Sequence, residues 1–217
     1  MSINLYLWQV SPTALRAFRA NSELLGARLN GVLKGSISSV DGFRSLYESQ
    51  GIFSVDDFVA KNRYVDDLSP ELRKDALRRI RKVFSTGAKK GPALLALEKS
   101  WHGIHYLLSD EVWTGDSPLG KMLMGGTEIG DESCETGYGK PRFHSPRVVK
   151  EIVRELPTIS QLNERYVPAK MAEAKLYAFN ADAPDEEWEY LSHFYEKMIG
   201  FFQDAAKNGR AIILFLS

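Results

Sequence analysis

Ala211-Ile-Ile-Leu-Phe-Leu216, the last apolar run of the chain, decides the fold class. Six consecutive apolar residues after Asn208-Gly209 are too few for a helix of ordinary length and too continuous for a half-exposed strand. They read as a strand buried on both faces. At the other end Ile3, Leu5 and Leu7 alternate with Asn4, Tyr6 and Trp8, a period of two with aromatics on the second face. This too reads as an inner strand. Between the two, the pattern is mostly helical. The expected architecture is therefore α+β: a small sheet containing both terminal strands, surrounded by several helices.

Helix starts are marked by Ser-Pro pairs, in which Ser caps and Pro occupies the first turn. Ser11-Pro12, Ser69-Pro70, Ser117-Pro118 and Ser145-Pro146 carry this signature. A helix from Ser22 reaches Leu33, and the one from Ser69 ends at Gly87 with a basic face of Arg73, Lys74, Arg78, Arg79, Arg81 and Lys82. Ser54 to Asp57 reads as a capping box, and Gly35 to Gly42 as a turn-rich connection. Pro92 is expected to begin a central helix through Leu108. Val167-Pro168 to Tyr177 reads as a further helix. Asp182 to Glu187 caps a last one, with Leu191, Phe194, Tyr195, Met198, Phe201 and Phe202 as its apolar stripe. Ser109 to Pro146 is loop-rich apart from a short helix at 119–124, a length that points to function.

With 217 residues the chain forms a single domain, 1–217, and buries enough surface to need no disulfide or metal. Lys plus Arg and Asp plus Glu both number 28, a balance that argues against a dedicated nucleic-acid binder. One cysteine, Cys134, excludes an intrachain disulfide and fits a reducing compartment. There is no signal-peptide pattern and no apolar run of about 18 residues. A cytoplasmic protein without membrane or nucleic-acid partners is expected.

Half of the four histidines fall in Trp101-His-Gly-Ile-His-Tyr-Leu-Leu108. In a helix Glu98, His102 and His105 would share one face, where imidazole and carboxylate serve as acid, base or metal ligands. The HExxH order is absent and no second cluster completes a metal site, so neither metal nor cofactor is assigned. Gly125-Gly-Thr-Glu-Ile-Gly130 matches no dinucleotide or Walker pattern. Its acids Glu128, Asp131 and Glu132 would repel phosphate, so a structural turn or strand edge is the better reading. Gly137-Tyr-Gly-Lys-Pro-Arg142 reads equally as an aromatic and an arginine placed over a pocket and as a flexible crossing. A Cys134–His144 nucleophile pair has little support, and no G-x-S-x-G elbow occurs. Trp8, Trp113 and Trp188 read as core or pocket-rim residues.

Taken in chain order, Tyr6-Leu-Trp-Gln-Val-Ser-Pro12, Leu97-Glu-Lys-Ser-Trp-His-Gly-Ile-His-Tyr-Leu-Leu108, Gly125 to Gly130, Gly137-Tyr-Gly139 with Arg142, Ser145-Pro146 and the closing strand form a specific combination. By these blocks the chain resembles the YfbM-like family of bacterial proteins of unknown function. The resemblance implies an α+β fold and brings no activity, substrate or cofactor. The stretch from about Asn30 to Tyr64 does not follow the family pattern and reads as an insertion, and Cys134 falls outside every family block.

Two functions from different classes follow. The first is a non-enzymatic binding or interaction protein, of the kind in which a small immunity protein neutralises a protein partner. The second is a small-molecule-binding domain or enzyme. Its pocket would join Trp101, His102, His105 and Tyr106 of the helix to Glu128, Tyr138 and Arg142 of the glycine-rich loop. The absence of a complete catalytic constellation favours the first.

Overall fold

The computed structural model describes residues 3–33 and 94–217, with Lys74 between them. The chain divides into two compact units, Met1–Leu29 with Ala93–Ser217, and Asn30–Pro92. The fold described below is that of the first. The insertion expected at about 30–64, the capping box at Ser54 and, apart from Lys74, the basic helix from Ser69 to Gly87 lie outside the described residues.

A five-stranded antiparallel sheet forms the frame, in the order β2-β1-β5-β4-β3. The strands are β1 (Leu5–Val10), β2 (Leu94–Ala96), β3 (Thr127–Glu128), β4 (Arg142–His144) and β5 (Ala211–Leu216). The two terminal strands pair along their full length, Leu5 opposite Leu216 through Val10 opposite Ala211. Asn4 and Ser217 continue the ladder with two more backbone bonds, 2.7 and 3.0 Å. β5 is the central strand and is buried over Ala211–Phe215, as its unbroken apolarity requires.

The two faces of the sheet are covered differently. Leu5 and Leu7 of β1, with Ile212 and Leu214 of β5, join the main helical core. Into it come Ile104 of α3 (Trp101–Ser109), Val149 and Ile152 of α5 (Pro146–Glu155), and Leu162 of α6 (Ile159–Arg165). The long α8 (Pro184–Lys207) adds the expected stripe Leu191, Phe194, Tyr195, Met198, Phe201 and Phe202. On the opposite face Tyr6 stacks on Phe215 at 5.2 Å, and Trp8 meets Phe18 of α1 (Pro12–Ala20) at 5.3 Å. The remaining helices are α2 (Ser22–Leu33), α4 (Pro118–Met122) and α7 (Pro168–Glu173). One buried amide crosses the first core: Gln9 Nε2 donates to the Phe201 carbonyl at 2.8 Å while its oxygen accepts from Arg210 at 2.9 Å.

Several elements depart from the sequence reading. The central helix does not begin at Pro92. Leu94–Ala96 instead pairs with Tyr6–Trp8 as an edge strand, a long-range pairing that overrides the helical leaning of Leu and Ala. Glu98 then sits in the following turn with a φ of +48°, off the helix that carries His102 and His105. The supposed loop 109–146 holds β3, β4 and a 3₁₀ turn at Glu132–Cys134 as well as α4. Finally, Thr158 and Gln161 form a capping box that opens an unforeseen α6, and α7 stops at Glu173, just before Lys175 turns left-handed at a φ of +51°.

Gly130 follows the β3 edge at a φ of +86°, and a Cβ there would lie 2.6 Å from Cys134 Sγ. Both the left-handed backbone and the overlap penalise a side chain. Gly130→Ala is expected to lose about 2 kcal/mol of stability, read as a lower urea midpoint at unchanged slope.

Candidate functional site

Helix α3 opens with Trp101, whose indole Nε1 donates to the Ile3 carbonyl at 3.2 Å and whose ring stacks on His102 at 4.8 Å. His102 is buried and both its nitrogens are engaged. The Tyr177 N–H donates to Nδ1 at 2.8 Å, so the ring proton is on Nε2, which donates to the Val112 carbonyl at 2.8 Å. One turn on, the buried His105 donates from Nε2 to the next carbonyl, that of Trp113, at 2.9 Å. Its Nδ1 is buried with no hydrogen-bond partner. His144, on β4, repeats the arrangement with the Met122 carbonyl at 2.9 Å. Three imidazoles thus hold the main chain of one segment, 112–122, against the sheet and α3.

Burial pushes all three imidazoles below their ordinary pKa, against the smaller raising effect of the carbonyl to which each donates. For His105 the neighbouring His102 lowers the value further, and Glu111 opposes it. A neutral imidazole fits these bonds. Protonating His102 would remove the lone pair that accepts from Tyr177, and protonating any of them adds charge to a buried site.

A cleft of about 720 Å³ opens beside this segment. Its walls are the β3–β4 hairpin, α4 and the start of α5. Arg142 donates from Nη1 to the Met124 carbonyl at 2.6 Å, and its Nη2 lies 3.8 Å from Glu128. Lys121 faces Asp116 at 3.5 Å, and Glu151 pairs with Arg147 at 3.0 Å. Val148 and Glu151 line the cleft from α5, Ser145 from its N-cap and His144 from β4. Of the seven residues singled out in the sequence, Glu128 and Arg142 line this cleft. Trp101 and Tyr138 meet Arg142 at a separate crevice of about 40 Å³, which is water-sized rather than ligand-sized. Tyr106 lies in a third recess of about 360 Å³ with Asp110, Glu164, Arg165 and Lys170. His102 and His105 line none of the three.

Lys121, Asp116 and Glu151 were not singled out in the sequence. A signal for the last exists, because Ser145, Val148 and Glu151 recur every three residues along a helix whose start was clear. Of the two places expected for Trp113, the core is excluded by its 65% exposure, and its neighbours Thr114 and Asp116 line the cleft. The thiol of Cys134 donates to the Ser22 carbonyl at 3.2 Å while His144 is engaged with Met122, so the two do not form a nucleophile pair. Among the described residues no three His, Cys, Asp or Glu side chains gather as a metal site. No helix among them is long and apolar enough to cross a membrane.

No curated protein matches the sequence. The fold is similar to the crystal structure of YfbM from Escherichia coli, a protein of unknown function. The TM-score is 0.51 at 11% identity, over 99% of each chain. A family model described as a domain of unknown function (DUF1877) matches residues 1–215. The sheet of paired termini and the near-complete match together place the chain in this YfbM-like family of unknown function, to which it belongs.

Proposed function

We propose that the chain is a non-enzymatic binding protein, and that the cleft walled by the β3–β4 hairpin, α4 and α5 receives a segment of a partner protein, which the chain neutralises in the manner of an immunity protein. The observation that carries this reading is the commitment of His102, His105 and His144 to main-chain bonds. The side chains best suited to proton transfer near neutral pH are spent on structure. What faces the cleft is a half-exposed ion pair, Arg142–Glu128, and a pair of Lys121 with a fully exposed Asp116, both of which can exchange partners with charges on an incoming chain.

A second reading keeps the same cleft for a small molecule, because about 720 Å³ falls within the usual range for ligand pockets. The two separate cleanly. Tagged wild-type protein is expected to capture a stoichiometric protein partner from a lysate of its source cell, and Glu128→Lys with Glu151→Lys to lose it while remaining folded. A metabolite that raises the melting temperature by about 5–10 °C at a hundredfold excess over its Kd would instead support the ligand site, provided Arg142→Ala abolishes the shift and no protein is captured.

A further inference from the structure

Trp113 is the most exposed large apolar side chain among the described residues, at 65% against 46% for Tyr138. Its main chain, however, is among the best anchored. The carbonyls of Val112 and Trp113 accept from two buried imidazoles, and Ser109 Oγ accepts from the Glu111 N–H at 3.1 Å. The indole leans on His102 at 5.5 Å, and His102 in turn stacks on Trp101 and Trp101 on Tyr177. A row of four rings therefore runs from the core to a tryptophan standing in solvent. An aromatic ring held in place before binding loses little freedom on binding, which is the profile of an interface anchor.

Charge around the ring specifies the partner. Asp110, Glu111 and Asp116 are exposed within three residues of Trp113, and the segment 109–117 carries no cation. Asp110 shares a recess with Tyr106, Arg165 and Lys170, and Asp116 faces Lys121 at 3.5 Å. Thr114 and Asp116 also line the large cleft, so the tryptophan stands beside its rim. A guanidinium is the group that suits both an exposed indole face and flanking carboxylates, because it stacks on the ring while its N–H groups reach the acids.

We infer that Trp113, with Asp110, Glu111 and Asp116, forms a preset anchor that takes an arginine from a basic segment of a partner protein. The inference rests on the reading of the chain as a binding protein and names the chemistry of what it binds. Its test uses the full chain and a blocked, fluorescently labelled pentapeptide carrying two arginines, with the two-glutamate version as control. The arginine peptide is expected to bind saturably and to move the Trp113 indole N–H resonance while those of Trp8, Trp101 and Trp188 stay in place. Trp113→Ala should weaken binding about tenfold with the other three resonances unchanged. The triple variant Asp110→Asn, Glu111→Gln, Asp116→Asn should weaken it at least about threefold and flatten its salt dependence. Equal binding of both peptides, no movement of the Trp113 resonance, or full affinity in Trp113→Ala overturns the inference. Capture of a partner protein by wild type and Trp113→Ala alike would overturn this anchor and leave the binding reading standing. Absence of any captured partner, with the peptide results as expected, would instead remove the neutralised partner at the cleft and leave Trp113 as an arginine-binding anchor.

Discussion

Replacing His102 with alanine is expected to cost about 4 kcal/mol of folding stability, the largest effect of any single substitution considered. The imidazole joins three separate parts of the chain through its two nitrogens: α3, the Val112 carbonyl and the Tyr177 N–H. Alanine leaves that acceptor and that donor without the ring, at about 1–3 kcal/mol for each group that stays buried. It also removes a ring stacked between Trp101 and Trp113, worth about 0.5–1.5 kcal/mol per contact. For a chain of this size the melting temperature should fall by about 8–16 °C. Trp113 should gain motion as well, because its indole loses the surface on which it leans. Urea denaturation of the two proteins, with the Trp113 indole followed by NMR, checks both statements. A loss below about 1 kcal/mol would show that water replaces the imidazole at little cost and that the latch is not structural.

Acid should undo the same arrangement. His102, His105 and His144 all have folded pKa values below the ordinary imidazole value of about 6.5, which the unfolded chain keeps. Between the lowered folded values and about 6.5 the unfolded state binds more protons than the folded one, so stability rises with pH there. The contribution is fully present above about pH 6.5 and is lost as pH falls from that value toward the folded ones. Each group supplies a limiting slope of about 1.4 kcal/mol per pH unit, and the three together about 4. Urea midpoints taken from pH 8 to pH 5 should therefore be flat above neutrality and fall steeply below it. In His105→Gln the slope should drop by about a third, because one of the three titrating groups is gone. A wild-type profile that stays flat to pH 5 would mean that these imidazoles are solvated well enough to protonate in place.

Both effects depend on bonds that have no signature in the sequence. A histidine within an apolar helical pattern can be read as a candidate ligand, base or core residue. The choice depends on what its nitrogens meet. Val112 and Trp113 lie 10 and 8 residues from their imidazoles, and they contribute only main-chain carbonyls, which every residue has. Tyr177 approaches His102 from 75 residues away. The cleft was hidden for a related reason. Glu128 and Arg142 were visible as pocket candidates in a glycine-rich segment, but Lys121, Asp116 and Glu151 become their neighbours only once β4 pairs with β5 and α5 folds back beside it.

Local chemistry alone was sufficient for much else in this protein. The terminal strands follow from period two and from unbroken apolarity. The starts of α1, α4 and α5 follow from Ser11-Pro12, Ser117-Pro118 and Ser145-Pro146, whose hydroxyls each accept from an N–H three residues on. The core stripe of α8 follows from helical spacing. These are short-range facts, set by neighbouring dihedrals and by which side of an element must avoid water. The strand-edge reading of Gly125–Gly130 likewise agrees with β3 at the sheet edge. The short strands β2 and β4, the roles of His102, His105 and His144, and the exposure of Trp113 were decided only by the tertiary structure. Each depends on a partner distant in the chain, and a strand of two or three residues or a side-chain bond to main chain gains its free energy only when that partner is in place.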